Sequence, residues 1–384
     1  MPTKVKGTTG VDKIEAGAVI TNPEFSGNAT VTGTLTVDST ASINGSNIST
    51  QPTFRNLIIN GNMQIAQRGT SSTGQTAGGY LTVDRWKFNI DTAGTWTMEQ
   101  DTDVPTGQGF ANSMKMSCTT ADASLAAGDR VWFDQRVEGY NLQQLAYGTA
   151  SAKSITVSFW VKSNKTGTYI LEFYSDDSNR TASKSYTISS ANTWEKKTIT
   201  LAGDTVSGFN NDNGLSLYVW FWLAAGSNYT SGTLNTSWAA NVTANRAVGQ
   251  VNLADSTSNY INITGVQLET GTTATDFENL QYTTQLQLCQ RYYYATSSAF
   301  LASGTTTLCY NLQFPVTMRA TPTETHSYAG VANDVYNIST AATPTFVPNG
   351  NFPINTGMKF AYDFDAGLTA GQPYQTDFTF SAEL

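Results

Sequence analysis

The stretch Leu215-Ser216-Leu217-Tyr218-Val219-Trp220-Phe221-Trp222-Leu223 decides the fold of this chain. Successive side chains of a β-strand point to opposite faces, so the stretch has two rows. One row is apolar: Leu215, Leu217, Val219, Phe221 and Leu223. The other is aromatic: Tyr218, Trp220 and Trp222. Because a strand with a structural task needs only one apolar face, the aromatic row is predicted to meet another sheet, another subunit or a ligand.

The composition favours an all-β protein. Charged residues make up 13% of the 384 residues and hydrophobic residues 39%, and much of the remainder is Gly, Ser, Thr and Asn. Such neutral polar chains are typical of β-rich extracellular or structural proteins. The formal net charge is -8, and the 21 basic residues are scattered, which argues against a nucleic-acid partner.

The sequence gives no sign of a secretion signal, a membrane span, a metal site or a cofactor. Residues 1–10 lack an apolar signal region, and no run approaches the roughly 18 apolar residues of a transmembrane helix. Synthesis in the cytoplasm is therefore expected. Cys118, Cys289 and Cys309 are too few and too dispersed for a disulfide framework or a zinc site, and we predict that they are small buried hydrophobic residues.

Three regions follow one another along the chain. Residues 1–52 carry only short strands of small apolar residues, which predicts an extended stalk or attachment segment, with a flexible tail as the alternative. Residues 53–280 have the strand spacing of a two-sheet jelly-roll β-sandwich. Residues 281–384 are predicted to form a smaller C-terminal β domain, whose start overlaps a predicted connector helix at 275–291.

Period-two alternation predicts strands within the jelly-roll region and a possible ligand-binding face. The predicted strands are 56–60, 85–89, 114–117, 131–137, 155–161, 169–173, 197–201, 215–223 and 260–268. If 131–137, 155–161 and 215–223 share a sheet, their outward side chains form an aromatic platform with polar edges. The candidate glycan-binding residues are Trp132, Asp134, Arg136, Trp160, Tyr218, Trp220 and Trp222. Sugars stack their C–H faces on such rings, but burial against a subunit or the C-terminal domain is the alternative.

No catalytic set stands out, and we expect no enzymatic activity. His326 is the only histidine, and a surface-loop position after Pro322 is predicted for it. The close carboxylate pairs, which a glycosidase would need, lie beside turn signals. These pairs are Asp101 with Asp103, Asp176 with Asp177, and Asp363 with Asp365. The run 292–294, Tyr-Tyr-Tyr, is predicted to be a strand that packs a hinge.

Several phrases of the chain, taken in order, resemble the tail-fibre and receptor-binding proteins of tailed bacteriophages. The phrases are Asn56–Met63, Gln67–Gly69, Asp84–Trp86, Gln135–Gly139, Val157–Lys162, Gly265–Gly271, Cys289–Tyr293, Met318–Pro322 and Phe380–Leu384. The opening segment Gly7–Gly17 is similar to phage fibre N-termini as well. The first phrase and Val157–Lys162 also resemble galactose-binding-like jelly rolls that serve as carbohydrate-binding modules.

The resemblance implies a virion tail appendage that is a homotrimer. It implies attachment to a phage tail protein through the N-terminus and adhesion to host surface polysaccharide or lipopolysaccharide. Many of the related modules have adjacent aspartates in the last strand that help hold calcium, whereas this chain has Thr264 and Gly265 there, so that calcium is not expected. A polysaccharide-degrading tailspike and a purely structural virion protein remain the alternatives.

Overall fold

The computed structural model describes residues 54–301, 307–328, 370 and 372–384, together with the backbone of short strands elsewhere. The chain divides into two units, Met1–Thr53 and Phe54–Leu384. The described part of the first unit is a hairpin of β1 (Ala41–Ile43) and β2 (Ser46–Ile48). The predicted stalk therefore lies almost entirely outside the described residues. The boundary near residue 280 falls within the second unit and stays a prediction.

The second unit begins with a β-sandwich. Its strands are β3 (Ser71–Gln75), β4 (Gly79–Tyr80), β5 (Trp86–Asp91), β6 (Thr95–Asp101), β7 (Ser113–Thr120), β8 (Arg130–Glu138), β9 (Ile155–Ser163), β10 (Gly167–Ser175), β11 (Arg180–Ile188), β12 (Glu195–Leu201), β13 (Leu215–Ala225), β14 (Ala239–Ala240) and β15 (Tyr260–Thr270). Helix α1 (Ser227–Thr230) follows β13. Single 3₁₀ turns lie at Gly139–Asn141, Gln143–Leu145, Thr243–Asn245 and Leu253–Asp255.

These strands form two antiparallel sheets. The seven-stranded sheet has the order β14-β11-β10-β13-β8-β5-β4, and the six-stranded sheet has the order β12-β9-β15-β7-β6-β3. The protein is all-β, and this part of it is the predicted β-sandwich jelly roll. The core lies between the sheets, where Phe221 of β13 stacks on Phe133 of β8 at 4.9 Å and meets Phe159 of β9 edge-on at 5.2 Å.

The apolar row of the opening stretch faces this core, as its alternation predicts. Leu217, Val219, Phe221 and Leu223 are fully buried there. Trp220 and Trp222 belong to a separate cluster on the other face of the seven-stranded sheet. The two rows of β13 therefore serve two different environments.

A bulge in β15 shapes the surface next to the loop before β7. The pairing of β15 with β9 shifts between Thr264 and Gln267, and Gly265 there has φ +63°. A Cβ at Gly265 would lie 2.6 Å from Phe110 Cζ, so only glycine lets that ring pack on the bulge. The ring of Phe110 also meets Phe277 edge-on at 5.2 Å.

The C-terminal part of the chain is a second group of antiparallel strands after helix α2 (Tyr282–Gln290). The strands are β16 (Tyr293–Leu301), β17 (Thr307–Gln313), β18 (Thr323–Tyr328), β19 (Val331–Ala332), β20 (Tyr336–Asn337), β21 (Pro348–Asn349), β22 (Pro353–Ile354), β23 (Gly357–Phe364) and β24 (Pro373–Ser381). One sheet contains β16, β24, β18 and β19, with β20 beside β24; the other contains β17, β23 and β21, with β22 beside β23.

Several local predictions were wrong. Residues 56–60 form turns and irregular chain rather than a strand, because Asn56 Oδ1 accepts from the backbone of Ile58 and Leu268. The connector helix is only Tyr282–Gln290. His326 lies in β18 rather than in a loop, paired with Phe378. The tyrosine run does lead into a strand, β16, and Cys118 and Cys289 are buried free thiols, whereas the Cys309 side chain lies outside the described residues.

Candidate functional site

The outward face of the seven-stranded sheet brings together most of the predicted site residues. Antiparallel pairing sets Trp222 of β13 opposite Trp132 of β8, Trp220 opposite Asp134, and Tyr218 opposite Arg136. On the other side of β13, Tyr174 of β10 lies opposite Tyr218, and Glu172 lies opposite Trp220. The predicted alternation of these strands is the reason that the side chains share one face.

The aromatic rings on this face are in mutual contact. Trp132 lies 5.1 Å from Trp220 and 5.9 Å from Trp222 between ring centres. Tyr174 stacks on Trp220 at 5.8 Å and lies 5.4 Å from Tyr218. Such rings provide both a large apolar surface and, through indole N–H and phenol O–H, directed hydrogen-bonding groups.

The chain itself covers the part of this face that carries Trp220 and Trp222. The segment that follows β13, which contains α1, folds back so that Tyr229 lies 5.5 Å from Trp222, and the guanidinium of Arg246 lies 4.2 Å from the centre of the Trp220 ring. Trp222 is fully buried, and Trp132 and Trp220 are only 7% and 8% exposed. The three tryptophans therefore face outward as the alternation predicts, but the same chain covers them rather than a second subunit or the C-terminal domain.

A buried ion pair holds the covering segment in place. Arg246 Nε donates to Glu172 Oε1 at 2.8 Å, and Trp222 Nε1 donates to Glu172 Oε2 at 2.8 Å. Arg246 Nη2 and Trp220 Nε1 are buried without a hydrogen-bond partner among the described residues. Burial raises the pKa of Glu172, although Arg246 opposes that effect. The pair fixes the tryptophans on the sheet.

Asp134 is structural rather than a rim residue. It is fully buried and accepts from Asn89 Nδ2 at 2.6 Å, from Arg136 Nε at 3.0 Å and from Trp132 Nε1 at 3.1 Å. Burial raises the pKa of its carboxyl, against the lowering effect of Arg136. Its predicted place among ligand contacts was wrong, because the outward face is covered at that point by its own neighbours.

Trp160 does not belong to this face at all. Its strand, β9, pairs with β12 and β15 in the six-stranded sheet, where Trp160 lies opposite Lys196 and Thr264. The prediction assumed that 155–161 shares a sheet with 131–137, and this pairing was wrong. Hydrophobic alternation specifies which face a side chain takes but not which sheet a strand joins.

What remains open is a strip of half-buried groups, formed by Tyr174, Tyr218 and Arg136 beside the edge of Trp220. We refer to these four residues as the aromatic strip. The guanidinium carbon of Arg136 lies 4.9 Å from the centre of the Tyr218 ring. Burial raises the pKa of Tyr218 to about 12, so its hydroxyl stays protonated and available as a donor at neutral pH.

The last residues of the chain close one end of the strip. The backbone oxygen of Leu384 accepts from Arg136 Nη1 at 2.7 Å and from Tyr80 Oη at 3.0 Å. With Asp134 on its Nε and Leu384 on its Nη1, Arg136 is held in one orientation. A fixed guanidinium beside an aromatic ring suits recognition of a planar or polar ligand group.

Sequence reasoning missed Tyr174, Glu172 and Arg246. Alternation in 169–173, a strand that was predicted, places Glu172 and the following Tyr174 on the outward face, so a signal for both was present. No local signal marks Arg246, because it reaches the face from an irregular segment. It bonds Glu172, which lies 74 residues earlier in the chain.

The acidic pairs have mixed surroundings. Asp103 accepts from Lys162 Nζ and Trp194 Nε1, and Asp177 accepts twice from Asn210. Asp176 is exposed, and its pKa is raised mainly by desolvation and then by Asp177. The side chains of 363 and 365 lie outside the described residues.

Within the described part of the chain, no helix is long and apolar enough to cross a membrane.

Comparison with known proteins gave structural matches only. No protein-family model matches the chain, and no curated protein matches it either. Among solved structures, it is similar to the enzymatically active domain of bacteriophage CBA120 tailspike protein 4, with 14% identity and a TM-score of 0.30. That match covers 56% of this chain and 21% of the tailspike chain, so the chain corresponds to about a fifth of that protein's length.

Two further matches are carbohydrate-binding modules. TmCBM61, solved with β-1,4-galactotriose, matches at 12% identity and a TM-score of 0.29 over 56% of this chain and 99% of the module. The family 11 module from Clostridium thermocellum, solved with a mixed-linked β-1,3-1,4 tetrasaccharide, matches at 12% identity and a TM-score of 0.28 over 53% and 98%.

Proposed function

We propose that the chain is an adhesive tail fibre of a tailed bacteriophage, whose jelly roll binds a glycan on the host surface. The observation that carries the glycan-binding part is the aromatic strip, in which two tyrosine rings in tilted contact remain half-buried beside a fixed guanidinium on an otherwise covered sheet face. The resemblance of the phrases between residues 56 and 384 to phage receptor-binding proteins supports the biological setting.

The strip has the chemical groups that a saccharide needs. The Tyr174 and Tyr218 rings, 5.4 Å apart between centres, give apolar surface for the C–H face of a sugar. Arg136 and the phenol hydroxyls supply donors at its edge, where ring hydroxyls would lie. Because Trp132, Trp222 and the Glu172–Arg246 pair are buried beside the strip on the same face, the surface is rigid before binding, which lowers the entropy cost.

A homotrimer attached to the tail through residues 1–52 fits this function. One strip alone exposes few groups, so a single site would bind weakly. Three copies on one fibre would raise the effective concentration of the second and third binding events without new contacts. Light scattering of the full chain tests the trimer, and a stable monomer would contradict it.

Adhesion without hydrolysis is the proposed activity. Saturating amounts of the purified protein are expected to compete with phage for adsorption to host cells and to bind purified host envelope polysaccharide. Reducing-end release from the same polysaccharide is expected to stay at background. Competition without cleavage supports the adhesin. Cleavage that Asp176→Asn abolishes would indicate a depolymerase, and the absence of both effects would indicate a structural virion protein.

A further inference from the structure

A polar cavity of about 180 Å³ lies apart from the aromatic strip. It is formed by the turn that contains Asn62 and Gln64, by the loop around Phe110 and Ala111, and by the segment of Asn279 and Tyr282 that enters helix α2. The strip contributes no residue to it. The cavity is therefore a separate feature of the sandwich that the proposed adhesion does not use.

The lining of the cavity is neutral and rich in amides. Asn62, Gln64 and Asn279 each offer a carbonyl oxygen and an NH₂ group, whereas Phe110 and Tyr282 provide ring surface. Among the described residues, no charged side chain lines the cavity. Amides beside rings suit a neutral ligand with adjacent hydroxyl groups and C–H faces, because each hydroxyl both donates and accepts.

One acceptor in this lining lacks a partner. Asn62 Oδ1 is buried and receives no hydrogen bond from any described residue, while Asn62 Nδ2 makes only a long contact of 3.4 Å to Gln64 Oε1. A buried polar atom without a partner costs about 1–3 kcal/mol in general, so such atoms usually have a ligand or water as partner. Because Asn62 lines the cavity, its side-chain amide has an unused acceptor next to the cavity wall.

The walls are fixed by contacts outside the cavity. Gln100 Nε2 donates to Met63 O at 2.7 Å and to Gln64 O at 3.1 Å, which holds the turn. The Phe110 ring packs on the Gly265 bulge, and Glu278 accepts from the backbone of Asn56 at 3.0 Å. The cavity therefore exists before a ligand arrives, as preorganised sites do.

The geometry points to a second binding site, for one neutral monosaccharide unit, in the cavity between Asn62, Phe110 and Tyr282. A volume of about 180 Å³ equals about six water molecules at roughly 30 Å³ each, which is enough for a single pyranose ring but not for an oligosaccharide. The Asn62 amide would turn to present Oδ1 to a sugar hydroxyl, and the rings would cover a C–H face. This site stands independently of the aromatic strip.

Saturation-transfer NMR on the full chain tests the site with galactose, N-acetylglucosamine and, as charged probes, glucuronate and inorganic phosphate. At least one neutral sugar is expected to bind, with a Kd of about 1 mM. Ala111→Trp, which fills the cavity from an exposed position, is expected to abolish the signal. Ala123→Trp, at an exposed alanine elsewhere, and Tyr218→Ala are expected to leave it unchanged.

Asn62→Ala is the second variant, in case Ala111→Trp alters the fold. Loss of the acceptor is expected to weaken sugar binding by about 10-fold, which corresponds to one hydrogen bond of about 1.4 kcal/mol, with an unchanged melting temperature. Failure of both neutral sugars to bind, binding of the charged probes only, or a signal that survives both variants would overturn the proposal. None of these results would bear on polysaccharide binding by the strip.

Discussion

The guanidinium carbon of Arg85 lies 3.4 Å from the centre of the Tyr292 ring, with both side chains almost completely buried. Arg85 also pairs with Glu383, and its Nη2 donates to Arg136 O at 2.7 Å. Tyr292 Oη donates to Glu138, which also accepts from Arg291. These contacts join β8, the end of helix α2 and the last residues of the chain through one buried network.

Removing the Arg85 charge is expected to be strongly destabilising. Arg85→Met removes the fully buried partner of Glu383 and leaves that carboxylate with Arg68 alone, and breaking such a buried pair costs about 3–5 kcal/mol. Adding Glu383→Gln to that variant is expected to restore part of the loss. Chemical denaturation measures both. Lys165→Met is the control, because Lys165 pairs with the partly exposed Asp255 and its loss should cost less than about 1 kcal/mol.

Substitutions of tryptophans that the covering segment buries should lower the free energy of unfolding more than substitution of the less buried Trp160. Trp222→Ala and Trp220→Ala are expected to lower the unfolding free energy by about 3–5 kcal/mol each, since both rings lie under the chain's own covering segment. Trp160→Ala, on the six-stranded sheet, is expected to cost less and to leave glycan binding unchanged. Calorimetry measures the melting temperature of each variant. A Trp222→Ala protein that melts like the wild type would contradict the burial of Trp222 under the covering segment.

Because of the raised pKa of Asp84, the free energy of unfolding is expected to fall as the pH rises. Burial raises the pKa of its carboxyl to about 6, with Gln67 and Arg68 opposing the effect. Between about pH 4 and 6 the native state therefore keeps a proton on Asp84 that the unfolded state has lost. The contribution of this protonation to the free energy of unfolding is fully present below pH 4 and is lost as the pH rises through about 6. The shift corresponds to about 3 kcal/mol. Asp84→Asn should remove this part of the pH dependence in denaturation measured between pH 4 and 7.

Asp103 gives a contrast of opposite sign. Its pKa is lowered by the hydrogen bonds from Lys162 and Trp194 despite some desolvation. A carboxylate with a lowered pKa stabilises the fold at a pH above its ordinary pKa. That stabilisation is lost as the pH falls through the pKa of the folded state. Asp103→Asn should therefore reduce the loss of stability in acid, whereas Asp84→Asn should not. The same effect from both variants would contradict these two environments.

The bulge at Gly265 should not tolerate a side chain. Gly265→Ala combines a left-handed backbone angle, φ +63°, with a contact of 2.6 Å to the Phe110 ring. Gly107→Ala has a similar angle, φ +77°, but open space around the new Cβ. The first variant is expected to destabilise the protein by about 1–3 kcal/mol more than the second. Equal effects would mean that the Phe110 contact is unimportant.

The sequence predicted the fold class better than the site. Alternation in Leu217 to Leu223 placed each side chain on the correct face, because the period of a strand is a local property. It did not predict that Trp160 joins the other sheet, since strand pairing depends on contacts far apart in the chain. The cover by Arg246 and Tyr229 was equally hidden, because an irregular segment carries no period.

The most direct test is the effect of Tyr218→Ala on binding to purified host envelope polysaccharide, measured by calorimetry together with the melting temperature. Glycan binding through the aromatic strip predicts a loss of about 1–3 kcal/mol in binding free energy, in a variant that remains folded at the assay temperature although the half-buried Tyr218 ring also packs on the tryptophan cluster. Tyr140→Ala, at a tyrosine 55% exposed outside the strip, should bind like the wild type. Wild-type affinity in the Tyr218→Ala protein would contradict the proposed site.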